Sequence, residues 1–293
     1  MKTLNAILAA LFSLAVPLSG GAQNIPYREY EPMEQYVPNV SGDLSLSGTY
    51  QYWKDPANLD YRLAGNPDEN WKLNWKFMDP PFNKAIHGGH FALDRGETLF
   101  QQINVDGRFA KCLGGGKLKH LRAGYPRWRA DLKHVAGLEE VIEYCGGKQG
   151  RVLQNGSYDN SAISLYLASL GGGQPISIDV SRGPMKEAYE RGRHLFHSKA
   201  GAYNFACATC HTHNIGKRLR GNTITTIYGD AAHYPVYRTQ YMLQSLHLRF
   251  AECNADARTQ PLVPGSKPYT DLEVFVTALT NGYPISVPAE RDW

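Results

Sequence analysis

The segment KEAYERGRHLF (186–196) decides how the rest of the chain is read. Tyr189, Gly192 and Phe196 fall at helical spacing on one face of it. A glycine inside a helix costs about 1 kcal/mol relative to alanine, so Gly192 needs a reason. The same feature recurs upstream, where DRGETLF (94–100) matches ERGRHLF (190–196) and Gly96 stands in the place of Gly192. A helix-interior glycine recurring in two matching segments points to a close helix–helix crossing in each, where a side chain would not fit.

Further matches extend the repeat downstream. YPRWR (125–129) resembles YPVYR (234–238), and ASLGGGQPIS (168–177) resembles TALTNGYPIS (277–286), with Cys145 and Cys253 at corresponding places between. A period near a hundred residues is too long for a solenoid and indicates a duplicated domain, with SIDVSRGP (177–184) as the linker. In YTDLEVFVTALTNG (269–282), Leu272, Phe275, Val276 and Leu279 share a helical face, and Gly282 with Pro284 beyond it signals the stop. Each repeat therefore opens and closes with a helix. A small all-α unit whose first and last helices cross tightly is the build of c-type cytochromes. The predicted fold is all-α, with two tandem cytochrome c-like domains over 88–180 and 181–293, the first without haem.

The N-terminus MKTLNAILAALFSLAVPLSGGAQN has one lysine, an apolar run and then small residues up to Ala22, the pattern of an export signal over residues 1–22. The apolar run is short for a membrane span, and no later segment is apolar enough for one. A periplasmic location is expected, with cleavage near Ala22. Residues 23–87 are rich in Tyr, Pro and Trp and lack a sustained period; they are read as an irregular extension with a short helix near 67–78, its Trp71, Trp75 and Phe77 packing on a neighbouring domain. A formal net charge of +4 without a Lys/Arg block argues against a nucleic-acid-binding face and is compatible with small anions or an acidic partner.

The five cysteines are Cys112, Cys145, Cys207, Cys210 and Cys253. Cys207-Ala-Thr-Cys210-His211 has the C-x-x-C-H spacing, in which two thiols add to the haem vinyl groups and the adjacent imidazole reaches the iron. A redox dithiol would want a βαβ context, and a zinc site would want a second Cys/His pair at ligand spacing; neither is evident here. One covalently bound haem c is the resulting expectation. The first repeat has Cys112 in AKCLGGG but no neighbouring histidine, so a disulfide between Cys112 and Cys145 is the economical assignment there. Cys253 is then left without a partner.

His211 supplies one axial ligand, and Met242, His233, His247 and Cys253 are the candidates for the other. Methionine is the usual sixth ligand of electron carriers. His213, His233 and His247 read equally well as ordinary surface or core histidines. The run YMLQSLHLRFAECN (241–254) reads as one helix, on which Arg249 and Cys253 are i and i+4 and share a face. A guanidinium there could hold an anion bidentately, or could be a surface arginine beside a buried cysteine.

The chain, over roughly residues 86–293, resembles the SoxA subunits of SoxAX cytochromes, the L-cysteine S-thiosulfotransferases of thiosulfate oxidation. The resemblance rests on the duplicated domain, CATCH (207–211), the R-x-x-x-C pair in RFAEC (249–253) and the following NADARTQPLVPGSKPYTDLEVFVTALTNGYPI (254–285). Many relatives carry a haem in both domains; this chain looks like the single-haem type. The resemblance implies that Cys207 and Cys210 hold the haem, that His211 is the proximal ligand, and that Cys253 is the distal ligand carrying a persulfide. It implies that Arg249 binds thiosulfate, that a SoxX-like small cytochrome c is the partner, and that a SoxYZ-like carrier accepts the sulfur. The competing expectations are a thiosulfate dehydrogenase making tetrathionate, which needs no protein acceptor, and a plain electron carrier using Met242.

Overall fold

A computed structural model describes residues 86–291 except 116, 215–217, 220–221, 225–226, 228 and 239–241. The expected signal peptide, the extension up to residue 85 and its short helix at 67–78 lie outside the described residues.

The first repeat begins with helix α1 (Gly88–Ile103), which buries Gly89, Ala92, Gly96, Phe100 and Ile103 along one stripe. His87 caps it: its Nδ1 accepts from the Gly89 N–H at 3.0 Å, and its own N–H donates to His90 Nδ1 at 3.3 Å. Helix α2 (Arg108–Leu113) follows, then a short hairpin of β1 (Arg127–Arg129) and β2 (His134–Ala136), helix α3 (Leu138–Gly147) and helix α4 (Tyr158–Ser169). The second repeat has helices α5 (Gly183–His197) and α6 (Cys207–His211), short strands β3 (Arg218–Leu219) and β4 (Asn222–Thr223), strands β5 (Val236–Arg238) and β6 (Met242–Gln244), helices α7 (Leu246–Asp256) and α8 (Lys267–Ala278), and strand β7 (Glu290–Arg291). Strand β5 pairs antiparallel with β6, Tyr237 facing Leu243, and parallel with β7. The strands are two or three residues long; the helices carry the packing, as the all-α expectation requires.

Both glycine-marked crossings are present. A Cβ on Gly96 would collide with the Ala162 carbonyl of α4, and one on Gly192 with the Asp271 carbonyl of α8. The backbones of α1 and α4, and of α5 and α8, therefore meet directly, and only glycine permits it. Each crossing closes its own core. In the first repeat Phe100, Phe109, Tyr125, Val141, Ile142 and Ile163 surround Cys145; in the second Phe196, Tyr234, Leu246, Phe250, Tyr269 and Phe275 pack together. The Tyr125–Pro126 and Tyr234–Pro235 bonds of the two matching segments are both cis.

The repeats are tied by backbone. Gly173 donates to Ile285 O and Ile285 to Gln174 O, both at 2.9 Å; Ile176 donates to Tyr283 O at 2.9 Å and Gly282 to Ile176 O at 2.8 Å. Gly282 lies in the turn past α8 at φ +86°, the left-handed region that suits glycine. Arg122 of the first repeat is buried and caps carbonyls of the second, donating to Ala231 O at 2.6 Å and Tyr234 O at 3.4 Å.

One sequence expectation changes. Residues 241–254 do not form a single helix: 242–244 are drawn into β6 by pairing with β5, and α7 starts at Leu246. Ser245 sets that start, its Oγ accepting from the Leu248 N–H at 3.4 Å.

Candidate functional site

Helix α6 is a single turn that carries Cys207, Cys210 and His211. Thr209 Oγ1 accepts from the Ala206 N–H at 3.0 Å, fixing its start, and Ala208 is fully buried beneath it. Cys207 packs against the core of the second repeat. Cys207, Cys210 and Cys253 are free thiols, whereas Cys112 and Cys145 are joined in a disulfide.

Electrostatics shows what faces α6. Burial pushes the Cys207 thiol up to about 12, with Cys253 and Cys210 adding to the effect. Burial and Cys253 also push Cys210 up, against the pull of Arg249. Cys253 of α7 thus acts on both thiols of α6 and Arg249 on that of Cys210, which groups four of the sequence-predicted site residues, with His211 on the same turn. A redox dithiol needs a lowered thiol pKa; Cys207 is shifted the other way.

Arg249 is anchored within α7. Its Nη1 donates to Glu252 Oε2 at 2.6 Å, and the same oxygen accepts from Gln244 Nε2 at 3.0 Å and lies 3.9 Å from Arg238 Nε. Burial opposes the Arg249 charge, but Cys253, Tyr234 and Glu252 outweigh it and raise the pKa further. For Glu252, burial is likewise outweighed by Arg249, Gln244 and Arg238, so its carboxyl stays below the ordinary carboxylate range. Sequence reasoning does not find Glu252 and Gln244; the i, i+3 spacing of Arg249 and Glu252 is the available signal.

The other candidate iron ligands differ in exposure and in their partners. Met242 is 46% exposed on β6. His247 is buried: Nδ1 accepts from the Gly265 N–H at 2.8 Å, and Nε2 lies 3.1 Å from Glu273 Oε2 without a hydrogen bond. His233 is buried in the short 3-10 turn 230–233. His213 is half-buried, and burial with the nearby Lys199 lowers its pKa.

A single-turn helix bearing two thiols and an imidazole, opposed by a third sulfur, has the donor set for a covalently attached haem. Among the described residues no group of three or more His, Cys, Asp or Glu side chains is placed to hold a bare metal ion. Two such repeats of crossed terminal helices define a cytochrome c-like, two-core protein.

Comparison with known proteins gives the family. The chain is 31% identical over 263 residues, 88% of its length and 86% of the relative's, to the L-cysteine S-thiosulfotransferase subunit SoxA of Allochromatium vinosum. It is 31% identical over 231 residues to the subunit of the same name from Chlorobaculum tepidum, covering 76% of this chain and 77% of that one. The chain belongs to the SoxA family of L-cysteine S-thiosulfotransferase subunits. The crystal structure of SoxXA from P. pantotrophus shares the fold, with a TM-score of 0.64 at 21% identity over 75% of this chain and 83% of that one. No protein-family model matches the chain.

Proposed function

We propose that this chain joins thiosulfate to a cysteine of a sulfur-carrier protein through Cys253, with Arg249 as the residue that binds the substrate. The observation that carries this is the meeting of Cys253 and Arg249 on one face of α7 with the free thiols of α6. Cys207 and Cys210 would hold one haem c by thioether bonds, and His211 and Cys253 would bind its iron. When bound, that group would supply an outlet through which electrons leave one at a time.

The residues then divide the work. Arg249 presents a charged fork to the sulfonate end of thiosulfate, a charge-assisted contact. Cys253, carried as a persulfide, bonds its terminal sulfur to the sulfane sulfur of thiosulfate: Cys–S–S⁻ and ⁻S–SO₃⁻ give Cys–S–S–S–SO₃⁻ and two electrons. A thiolate of the carrier attacks the former sulfane sulfur, taking the S–SO₃⁻ group and returning Cys–S–S⁻. A second, small cytochrome c of the SoxX type is the proposed partner and electron acceptor, and a SoxYZ-like protein the proposed carrier. The proposed location is the periplasm, after removal of residues 1–22.

Mass spectrometry of the purified chain tests the assignment. One haem on the peptide with Cys207 and Cys210, and an additional sulfur on Cys253, are expected. An unmodified Cys253 together with full thiosulfate turnover by an Arg249→Ala variant would reject it.

A further inference from the structure

The structure assigns Glu252, braced by Gln244, as the positioning residue that sets the orientation of the Arg249 guanidinium, leaving its Nε–Nη2 edge to receive the oxyanion of the substrate. This rests on the reading of Arg249 as the substrate-binding residue.

The duplicated fold supplies an internal control. Helices α3 and α7 both begin at a leucine, Leu138 and Leu246, and Cys145 and Cys253 are each the eighth residue. In that register Val141 stands at the place of Arg249, Tyr144 at that of Glu252, and Ala136 at that of Gln244. The fold is thus built in the first repeat without any of the three polar groups, and Val141 and Ala136 are fully buried there. Arg238 behaves differently: its counterpart Arg129 donates to Cys112 O at 3.2 Å and to the Tyr125 hydroxyl at 2.8 Å, so an arginine at that place belongs to the scaffold. The scaffold does not need Gln244, Glu252 and Arg249 together. Charged groups half-withdrawn from water are not a route to stability, so what the trio does is specific to the second repeat.

The geometry gives the role. One carboxylate oxygen takes Nη1 of Arg249 at 2.6 Å and the Gln244 amide at 3.0 Å. Among the described residues Nε and Nη2 of Arg249 make no hydrogen bond, so one edge of the guanidinium is fixed and the other is presented. The same oxygen also lies 3.9 Å from Arg238 Nε, so the carboxylate is held from a second side. Glu252 is a positioning residue because it acts through Arg249 and not on the substrate.

The test is a double-mutant cycle on the haem-loaded complex, read by steady-state thiosulfate oxidation. Glu252→Gln is expected to lower kcat/KM about tenfold, mainly through KM, because a loosened guanidinium weakens substrate binding. Its visible spectrum and melting midpoint should match the wild type. In an Arg249→Lys background the same Glu252→Gln change should cost less than about twofold, since the group it acts through is gone. Equal losses in both backgrounds, or no loss in the single variant, overturn the proposal. If Glu252→Gln does not fold, Gln244→Ala takes its place, with a loss of about threefold that again collapses in the Arg249→Lys background. A fully active Arg249→Lys protein instead removes the substrate-binding reading of Arg249, and the positioning role falls with it.

Discussion

Cys145 and Cys253 are each the eighth residue of equivalent helices, yet Cys145 is bonded to Cys112 while Cys253 is a free thiol facing α6. The same backbone position is thus a structural bond in one repeat and a free thiol in the other. What differs is the neighbouring short helix: α2 offers one cysteine, Cys112, and α6 offers the paired Cys207 and Cys210 followed by His211. The disulfide spans 33 residues. Replacing both partners, Cys112→Ala with Cys145→Ala, should cost on the order of 3–4 kcal/mol from loop-closure entropy. The denaturant midpoint should fall accordingly, while the haem content of the second repeat stays at the wild-type value.

The glycine crossings make a second expectation. Gly96→Ala and Gly192→Ala each add helix propensity of about 1 kcal/mol, but each new methyl runs into a backbone carbonyl, of Ala162 or of Asp271, that cannot rotate away. Separating the helix pair should outweigh the propensity gain, with overpacking costs of about 1–3 kcal/mol or more. Both variants should melt below the wild type in calorimetry. A variant that melts higher would show that the helices part without penalty.

The crossings are legible in the sequence because a glycine within a helical stripe weakens the helix unless a neighbouring backbone needs the space, and the chain carries it twice. The C-x-x-C-H turn is legible because its spacing is local. The start of α7 is not, because Met242–Gln244 has no local reason to be a strand: its pairing with Val236–Arg238 is a tertiary choice. Ser245, a helix-capping residue type, marks the true start. The Gln244–Glu252 brace is hidden for the same reason, since the two residues meet only when β6 and α7 are placed together.

The cap of α1 gives a pH-dependent expectation. Burial, reinforced by His90, lowers the His87 pKa from 6.5 to about 4. Between those values the unfolded chain binds a proton that the folded chain refuses, so stability falls as pH drops from 6.5 towards 4. Protonation also removes the acceptor for the Gly89 N–H. Hydrogen exchange at Gly89 and His90, corrected for intrinsic rates, should speed up across that window. His87→Asn keeps an N-cap acceptor without titrating, and its exchange should be flat over the same range. A His87 titration near its ordinary value in the wild type would refute the cause.

The choice of distal iron ligand separates the sulfur-conjugating chemistry from plain electron carriage. Met242 is exposed on β6, and His247 is buried with Nδ1 held by the Gly265 N–H and Nε2 beside Glu273. Met242→Leu should therefore leave the visible and magnetic-resonance signatures of the haem-loaded protein unchanged. His247→Gln should also leave them unchanged, but at a cost of about 1–3 kcal/mol in stability, because the Gly265 amide loses its buried acceptor. Cys253→Ala should alter both signatures and abolish thiosulfate turnover while the covalent haem is retained on Cys207 and Cys210. If Met242→Leu alone shifts the spectrum and Cys253→Ala does not, methionine holds the iron and the protein is an electron carrier.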